Sequence, residues 1–551
     1  MEPEKPEAKF YLGFDFGTQS VKATVVDDSL SVVHETGVNF DKDLPEFRTN
    51  GGVNRDERNP KIVSAPPIMW VKAVDILLEK LRIEGVAMDQ IAGISGAAQQ
   101  HGTVYWRKGA GEMLRTLDPS RFLHDALAFA FSVPHSPVWM DSSTTDYCDK
   151  LENALGGAEE LSKLSGSRAY ERFSGSQIAK VFHTKRDPYN ATERISLISS
   201  FACSIFLGDF APIDYSDGSG MNLLDIRNKT WSLEALKAVT SGSEEDAGIL
   251  AEKLGVPMPT ETVVGPVSNY FVERFGFDPE CKVVAFTGDN PSSFAGMCLG
   301  PHDIAVSLGT SDTVFLSLDT LPEERFTQGH ILINPIASKT EFMALLCFKN
   351  GSLTRERIRM RAAEGSWDIF NQLLDSTPRG NFGNIGFFFD LQEIIPKIKA
   401  GDHCFNKENS RLPRFTSKEV EVRALIEGQF LAKRVYAERI GCKIKPETRI
   451  LATGGASSNH IILQVLSDVF NAPVYIQKSV NAADLGACYR VKHALLLQSD
   501  PDNVASFGDI VGDKHGFVKL AEPSKDAAQI YDKMTERFAL LEDIILQPGT
   551  K

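Results

Sequence analysis

The sequence predicts an α/β protein built from two related halves. Three observations support this prediction: the length of 551 residues, a strand–Gly-Thr–strand pattern that occurs twice, and a Gly-rich turn that joins an apolar strand to a helical pattern. A single hydrophobic core stops growing at about 250–300 residues. We therefore expect at least two domains.

Composition indicates a globular protein and restricts its partners. The chain is 42% hydrophobic and 24% charged, with a formal net charge of −14. Nucleic acids and anionic membranes both favour a basic surface, so we expect neither as a partner. An anionic ligand would instead be held locally by backbone amides, a metal ion or a few cations.

The first residues, the most apolar run and the cysteines give no indication of a targeting or membrane segment. Residues 1–10, MEPEKPEAKF, are charged and contain proline, which predicts a disordered leader rather than a signal peptide. The most apolar run, 126–140, is short and contains prolines, so no membrane span is expected. Eight cysteines without metal-like spacing favour reduced thiols and a cytoplasmic location.

The first Gly-Thr pattern lies in FDFGTQS, residues 14–20, between two strand-like segments. A β-hairpin turn explains the break in the strand pattern without any function. The alternative is a phosphate site, because the amides around Gly17 and Thr18 suit phosphate oxygens while Asp15 suits the accompanying Mg²⁺. Both interpretations are open from this stretch alone.

A second copy of the pattern lies in DIAVSLGTSDTVFL, residues 303–316, with Gly309 and Thr310 at its turn. The position of Asp15 is occupied here by Ser307. Two carboxylates would repel a polyphosphate, whereas one carboxylate with a metal ion and one hydroxyl would not. The asymmetry therefore favours a nucleotide site over a purely structural duplication.

The stretch ILATGGASSNHIILQVLSDVF, residues 450–470, predicts a strand over 450–453 and a helix from 461 onward. Between them, Gly454, Gly455 and Ala456 allow the backbone to approach a ligand closely, and Ser458 or Asn459 is expected to cap the helix. A plain strand-to-helix turn is the alternative.

The stretch VVAFTGDNPSSFAGM, residues 283–297, predicts a buried strand followed by a helix that begins near Pro291. Asn290 is expected to cap this helix, which would leave Asp289 free at the strand end. Phosphoryl transfer needs a carboxylate that accepts the proton of the attacking hydroxyl. Asp289 is the candidate general base, held ionised by the helix start, although a capping role alone would also explain it.

Seven motifs in order resemble the FGGY carbohydrate kinase family, within the actin and hexokinase-like superfamily. They are FDFGTQS, SGAAQQHG (95–102), PVWMDSST (137–144), SGSRAYERFSGSQIAK (165–180), TGDNPSS (287–293), SLGTSDT (307–313) and ATGGASSN (452–459). The QQHG, YERFSG and IDYSDGSGMNLL (213–224) versions are most similar to the members that act on xylulose. The family's usual Pro-Lys-Trp segment is degraded around Lys180, so no role is assigned to that lysine.

The resemblance implies two ribonuclease-H-like domains facing each other across a cleft, a sugar-binding domain over 11–286 and a nucleotide-binding domain over 287–551. It implies ATP- and Mg²⁺-dependent phosphorylation of D-xylulose to D-xylulose 5-phosphate, by a monomer or weak homodimer. Transferred motif by motif, the sugar ligands are Gln100, His101, Arg172, Asp289 and Asn290. The nucleotide ligands are Gly17, Thr18, Gly309, Thr310, Trp367, Gly454, Gly455, Ala456 and Asn459, with Asp15 at the metal.

Several of these residues have a purely structural alternative from the sequence. Trp139 is expected in the core, Arg172 suits a solvated surface, and Trp367 suits either adenine stacking or packing. His101 follows a predicted strand, where a structural role is as plausible as a binding role. The rival functions are a kinase acting on ribulose, glycerol or gluconate, and an ATP-regulated sugar-binding protein with little turnover.

Overall fold

The structure is a computed structural model of the full chain. It describes residues 9–322, 326–336, 341–477, 482–500, 505–512 and 516–547. Most of the expected disordered leader, residues 1–10, therefore lies outside the described residues, and Phe10 begins the first strand.

The strands are β1 (Phe10–Phe16), β2 (Ser20–Asp27), β3 (Val32–Asn39), β4 (Asn54–Arg55), β5 (Val63–Ala65), β6 (Ile91–Ala98), β7 (Thr103–Arg107), β8 (Ser136–Pro137), β9 (Thr192–Leu197), β10 (Leu224–Asp225), β11 (Thr230–Trp231), β12 (Val263–Pro266), β13 (Lys282–Val284), β14 (Thr287–Gly288), β15 (Ile304–Leu308), β16 (Asp312–Leu318), β17 (His330–Ile333), β18 (Phe342–Phe348), β19 (Ile385–Phe389), β20 (Gly401–Phe405), β21 (Arg411–Leu412), β22 (Ile450–Thr453), β23 (Val474–Ile476) and β24 (Val518–Ala521).

The α-helices are α1 (Phe40–Asp43), α2 (Pro67–Ile83), α3 (Ala110–Arg115), α4 (Leu123–Ala126), α5 (Thr145–Ala154), α6 (Ala158–Ser165), α7 (Ser174–Thr184), α8 (Arg186–Asn190), α9 (Ile198–Leu207), α10 (Tyr215–Gly218), α11 (Leu233–Val239), α12 (Glu244–Leu254), α13 (Asn269–Phe275), α14 (Asp289–Gly296), α15 (Ser352–Ala362), α16 (Trp367–Asp375), α17 (Lys418–Arg439), α18 (His460–Phe470), α19 (Ala482–Ser499), α20 (Phe507–Val511) and α21 (Ala527–Leu546).

The chain divides into two compact units. The first comprises the described residues of 9–298, 332–336, 482–500 and 505–512, and the second those of 299–331, 341–477 and 516–547. The expected boundary between 286 and 287 differs from this division. β14 pairs in parallel with β6, and α14 packs against α19, so both the segment after 286 and α19 are in the first unit.

The first unit is built on a sheet with the strand order β12-β13-β6-β1-β2-β3, beside which β14 pairs with β6. β1 and β2 are antiparallel, whereas β6 runs parallel to β1 and β13 parallel to β6. β1 and β6 are almost fully buried along their length, as expected of strands with both faces covered. The carboxyl ends of these parallel strands place their following residues at one edge of the sheet.

The second unit repeats this topology. Its sheet has the order β17-β18-β16-β15-β22-β23-β24, with antiparallel β15–β16 and β16–β18 pairs and parallel β15–β22 and β22–β23 pairs. The central order β18-β16-β15-β22-β23 matches β3-β2-β1-β6-β13 of the first unit. The predicted duplication is confirmed, and the α/β, ribonuclease-H-like fold class with it.

The described residues after 500 contribute to both units, since α20 lies in the first unit and β24 and α21 lie in the second. β24 adds an antiparallel edge strand beside β23, and α21 packs against α17 and α18. Within the described residues, no helix is both long and apolar enough to cross a membrane.

Two glycines allow α14 and α19 to cross closely inside the first unit. A Cβ at Gly296 would overlap the backbone of Ala482, and a Cβ at Gly486 would overlap the backbone of Ser292. Ser292 also donates a 2.6 Å hydrogen bond to the Ala483 carbonyl. This crossing fixes α14, whose first residue is Asp289.

Candidate active site

The first Gly-Thr turn is bounded by polar contacts from two other segments. Gln99 follows β6 and donates from Nε2 to the Gly17 carbonyl over 3.2 Å. Trp139 donates its indole N–H to Thr18 Oγ1 over 2.9 Å. Trp139 is 41% exposed, so the expectation that it lies in the core was wrong. Because the indole N–H can only donate, the Thr18 hydroxyl proton is not used in this contact.

Asp289 begins α14, and Gly288, with extended backbone angles, occupies the cap position. The prediction that Asn290 caps a helix beginning at Pro291 was therefore wrong by two residues. A proline inside the first turn is tolerated because the first four N–H groups of a helix have no intrahelical acceptor. Asp289 Oδ1 accepts from the Asn290 backbone N–H at 2.8 Å and from Asn290 Nδ2 at 3.1 Å, and Oδ2 takes part in neither bond.

Burial and neighbouring negative charges raise the pKa values of two carboxyl groups at this end of the sheet. Burial, followed by the charges of Asp15 and Asp217, raises the pKa of Asp289 to about 8. Burial and the charge of Asp484 raise the pKa of Asp15 to about 7, and Asp15 Oδ1 is buried without a hydrogen-bond partner. The expectation that the helix start keeps Asp289 ionised was wrong, because burial and like charge outweigh the helix dipole. A pKa near neutrality nevertheless suits a general base.

Side-chain amides connect Asp289 to β6 and α10. Asn290 Nδ2 donates to Gln100 Oε1 over 2.9 Å, and Gln100 Nε2 donates to Asp217 Oδ1 over 3.1 Å. Asp217 Oδ2 accepts from Ser199 Oγ over 2.6 Å. The structure thus brings Gln100, Asp289 and Asn290 into one hydrogen-bonded group.

His101 adopts a left-handed backbone conformation, with φ of 72°. This conformation is uncommon outside glycine and is concentrated at functional sites. His101 Nδ1 lies 2.9 Å from the Gly220 carbonyl, which can only accept, so Nδ1 carries the proton. Burial and the charge of Arg172 lower the pKa of His101 to about 3, so the ring is neutral and Nε2 is an acceptor.

An aromatic group holds His101 and Arg172 together. The His101 ring stacks on Phe173 with centroids 4.4 Å apart. The Arg172 guanidinium lies 4.6 Å from the Tyr170 ring centroid and 5.5 Å from that of Phe173. Arg172 is partly buried, so it is not fully solvated as the surface interpretation expected. Such cation–π contacts restrain the guanidinium while leaving its charge in place.

Lys180 lies near this region. Its Nζ donates to Ser143 Oγ over 2.6 Å and lies 3.6 Å from Asp141, a buried residue that also accepts from Gln177. These contacts give the lysine a structural role within the first unit.

The second unit contains a cavity of about 710 Å³. This volume is in the range of small-molecule and cofactor sites. Most of the residues predicted for the nucleotide line it, together with several that the sequence did not indicate. The lining residues are Leu308, Gly309, Thr310, Ser352, Arg355, Trp367, Asn371, Gly455, Ala456, Ser458, Asn459, His460, Ile461 and Ile462.

The strand β22 begins and ends as predicted, and Asn459 caps α18. Asn459 Oδ1 accepts from the backbone N–H groups of Ile461 and Ile462, and its Nδ2 donates to Asn371 Oδ1 over 2.8 Å. The cap prediction is confirmed for Asn459. The cap therefore occupies two of the backbone N–H groups at the start of α18, while Asn459 itself lies in the cavity wall.

The absence of a side chain has different consequences at Gly454 and at Gly455. Gly454 has φ of 82°, and a Cβ there would lie 2.7 Å from the Leu308 carbonyl oxygen, so it allows the turn to pack on β15. A Cβ on Gly455 would meet no atom within 4 Å. Gly455 instead lines the open cavity, where a side chain would take up ligand volume.

The second Gly-Thr turn is supported by a buried arginine. Arg355 donates to both oxygens of Asp312 at 2.9 and 3.0 Å and to the Gly309 carbonyl at 3.3 Å. Lys433 lies 2.8 Å from the same carboxylate. Asp312 keeps its charge, since the two cations outweigh the effect of burial and lower its pKa. The second Gly-Thr turn is therefore supported from below by a charged, hydrogen-bonded group of side chains.

Trp367 begins α16 at the edge of the cavity and is 39% exposed. The Arg359 guanidinium lies 5.0 Å from its ring centroid, and Phe370 contacts it edge to face. The indole is thus held between a cation and a ring while part of its surface stays accessible.

Sequence reasoning missed Asp217, Arg355 and Asn371. Asp217 lies within IDYSDGSGMNLL, and its place among small glycine and serine residues was its only local signal. Arg355 lies on an arginine-rich polar helix and Asn371 on an amphipathic helix, and polar residues are ordinary on both. Nothing local distinguishes them from surface residues.

Two family models match the chain. The N-terminal domain of the FGGY family of carbohydrate kinases matches residues 134–296, and the C-terminal domain matches residues 304–495. Together they cover more than half of the chain.

Full-length relatives are similar over nearly the whole chain. A xylulose kinase from Rattus norvegicus is 51% identical over 544 residues, covering 98% of each chain. Xylulose kinase 2 from Arabidopsis thaliana is 48% identical over 504 residues, covering 89% of this chain and 88% of the relative. D-xylulose kinase A from Aspergillus niger is 35% identical over 578 residues, covering 98% of this chain and all of the relative.

Solved structures share the fold at low identity. Ligand-bound xylulose kinase from Lactobacillus acidophilus has a TM-score of 0.77 at 18% identity, covering 98% of this chain and 99% of that one. Plasmodium falciparum glycerol kinase with ADP has a TM-score of 0.74 at 14% identity, covering 98% and 99%. On the family models and the full-length identities, the chain belongs to the FGGY family of carbohydrate kinases.

Proposed function

We propose that this kinase transfers the γ-phosphoryl group of ATP to the terminal hydroxyl of D-xylulose, giving D-xylulose 5-phosphate. The observation that carries the proposal is the 51% identity to a xylulose kinase over 98% of the chain, which includes the hydrogen-bonded group around Asp289. The eight cysteines are free, which supports a reducing, cytoplasmic location.

The first unit is proposed to bind the sugar. A ketose carries hydroxyl groups that bind through several neutral hydrogen bonds rather than one charge. His101 Nε2 is proposed to accept from one hydroxyl, Arg172 to donate to another oxygen, and Gln100 and Asn290 to contribute amide groups. The stacking of His101 on Phe173 supports this arrangement, since it fixes the ring before the sugar arrives.

Asp289 is proposed to accept the proton of the attacking hydroxyl as the new P–O bond forms. Its Oδ1 is occupied by two bonds from Asn290, which leaves Oδ2 for this proton. A pKa of about 8 makes the carboxylate a stronger base than an exposed aspartate. Phosphoryl transfer otherwise depends on positioning and charge neutralisation.

Mg²⁺ is proposed to bind with the nucleotide at Asp15. The fit is chemical: Asp15 Oδ1 is buried without a hydrogen-bond partner, and carboxylate oxygens are ligands that Mg²⁺ prefers. When bound, the ion would neutralise phosphate charge. The Gly17–Thr18 turn is proposed to contribute a backbone N–H and the Thr18 hydroxyl to phosphate oxygens.

The cavity of the second unit is proposed to bind the nucleoside part of ATP. Trp367 would stack on adenine, while Gly455, Ala456 and the α18 amino terminus would approach the ribose or phosphates. Gly309 and Thr310 would contact phosphate from the turn that Arg355 supports.

A coupled assay of ADP release, with and without sugar, tests the proposal. We expect turnover with D-xylulose that exceeds the sugar-free rate by at least about 100-fold, because water is a poor substitute for a positioned acceptor. A panel of ribulose, glycerol and gluconate identifies the preferred acceptor. Equal ADP release with and without every sugar would overturn the kinase assignment in favour of an ATP-regulated binding protein.

A further inference from the structure

Asp217, in α10, ends the polar group that starts at Asp289, and neither proposed substrate requires it as a ligand. Its side chain is buried, with 1% exposure, and both oxygens are used inside the first unit. Oδ1 accepts from Gln100 Nε2 at 3.1 Å, and Oδ2 accepts from Ser199 Oγ at 2.6 Å. A buried carboxylate so placed acts on other side chains rather than on solvent.

The acceptor on Asp217 determines the direction of the Gln100 amide. When Asp217 is ionised, both of its oxygens accept. When Asp217 is protonated, Oδ2 can carry the proton and donate it to the Ser199 hydroxyl, so Oδ1 is an acceptor in both states. Gln100 must therefore point its NH₂ group at Asp217, which leaves Oε1 directed at Asn290.

The direction of the Gln100 amide then determines that of Asn290. Since Gln100 presents an oxygen, Asn290 must present its NH₂ group, and the two atoms lie 2.9 Å apart. The same NH₂ group donates to Asp289 Oδ1 at 3.1 Å. The Asn290 carbonyl oxygen is left as an acceptor for a hydroxyl group from outside this set of residues.

Packing keeps these side chains in place. A Cβ on Gly288 would lie 2.5 Å from Gln100 Cγ and 2.8 Å from Asp217 Oδ1. Gln100 is itself only 4% exposed. The absence of a side chain at residue 288 is what allows Gln100 and Asp217 to approach each other beside Asp289.

Building on the proposed function, we propose that Asp217 is a positioning residue of the sugar site: its acceptor oxygen fixes the Gln100 and Asn290 amides so that Asn290 offers a carbonyl oxygen to a sugar hydroxyl. Asp217 acts through Gln100 and does not touch the substrate.

The first test compares Asp217→Ala with Asp217→Asn. Alanine removes the acceptor, so we expect the KM for D-xylulose to rise at least about tenfold with the KM for ATP unchanged. Asparagine can turn its oxygen to Gln100 and its NH₂ group to Ser199, so its sugar KM should stay within about threefold of that of the unaltered protein. Ser199→Ala, which removes the other contact of Asp217, is the matched control and should also stay within about threefold.

The second test reverses the hydrogen-bond direction and does not depend on the alanine variant folding. Asn290→Asp presents an acceptor to Gln100 Oε1 and should raise the sugar KM by at least about tenfold. Adding Asp217→Asn lets the Gln100 amide rotate and donate to the new carboxylate. The double variant should therefore bind sugar better than Asn290→Asp alone, by about threefold or more.

The outcomes separate this inference from the proposed function. Absence of D-xylulose turnover by the unaltered protein overturns both. If the unaltered protein turns over D-xylulose and the sugar KM of Asp217→Ala equals that of Ser199→Ala, the inference alone is overturned. It is also overturned if the sugar KM of the double variant is no lower than that of Asn290→Asp. A lower Tm in Asp217→Ala with unchanged kinetics would show a purely structural role and would also overturn it.

Discussion

Trp139 donates its indole N–H to Thr18 Oγ1 over 2.9 Å, although 41% of the tryptophan is exposed. The contact orients the Thr18 hydroxyl so that its own proton points away from Trp139. If that proton is donated to a phosphate oxygen, the tryptophan assists nucleotide binding without touching the nucleotide.

Trp139→Phe keeps most of the apolar surface and removes the N–H. We expect kcat/KM for ATP to fall about two- to tenfold, the range of one neutral hydrogen bond, with no change in sugar affinity. Trp231→Phe is the matched control, because Trp231 also donates its N–H, to the Gly255 carbonyl, elsewhere in the first unit. Identical steady-state kinetics in the two variants would exclude this role for Trp139.

Trp367 is predicted to stack on adenine. Trp367→Ala should raise the dissociation constant of ADP about five- to 100-fold, since stacking of a base on an aromatic ring contributes about 1–3 kcal/mol. Trp367→Phe retains a ring and should lose much less. Isothermal titration with ADP measures both, and equal affinities for the two variants would place adenine away from this residue.

Two glycine substitutions should separate packing from ligand space. Gly486→Ala drives a methyl group into the Ser292 backbone and should lower stability by about 1–3 kcal/mol or more. Gly455→Ala meets no atom within 4 Å and should leave the Tm unchanged while raising the KM for ATP. Thermal melts and nucleotide kinetics on both variants check the contrast. A Gly455→Ala variant with unaltered nucleotide kinetics would contradict the cavity assignment.

The pKa of Asp289 predicts a pH-dependent stability cost. The group titrates at 3.8 in a model peptide and at about 8 in the folded protein. Between these values the folded state holds a proton that the unfolded chain has released, so rising pH favours unfolding. Asp289→Asn removes this effect. The Tm of the variant minus the Tm of the unaltered protein should therefore grow from pH 4 to about pH 8 and then level off.

Asp41 provides a control of opposite sign. Asp41 is exposed, and although some desolvation opposes the shift, hydrogen bonds from Thr49 and from the Gly51 and Gly52 N–H groups lower its pKa. Its contribution is present above the unfolded pKa and is lost as pH falls through the folded pKa. Asp41→Asn should therefore lose Tm relative to the unaltered protein, most above pH 4. The same pH trend in both variants would contradict the assignment for Asp289.

Local sequence patterns predicted the strands and turns but not how side chains are used. The strand Ile450–Thr453, the Asn459 cap and the two Gly-Thr hairpins were predictable, because strand periodicity and turn chemistry are local. The exposure of Trp139 depends on where its loop ends, which is a tertiary property. The helix α19 joins the first unit through its crossing with α14, and contacts between residues nearly 200 positions apart leave no local signal.

The candidate site also contains residues that the sequence indicated and residues that it did not. Motif by motif resemblance indicated His101, Arg172 and Asp289, whereas Asp217 is hydrogen-bonded to Gln100, which in turn bonds to Asn290 beside Asp289. The start of α14 was misplaced because Pro291 suggested the first helical position, while the first turn also accommodates proline two residues later.

The role of Asp289 is tested most directly by the turnover of Asp289→Asn with saturating D-xylulose and ATP, measured beside sugar binding by titration calorimetry. We expect kcat to fall about 100- to 10,000-fold, the range of general-base catalysis, while the sugar dissociation constant changes less than about fivefold. A variant that binds sugar normally and keeps kcat close to that of the unaltered protein would contradict the assignment of Asp289 as the base.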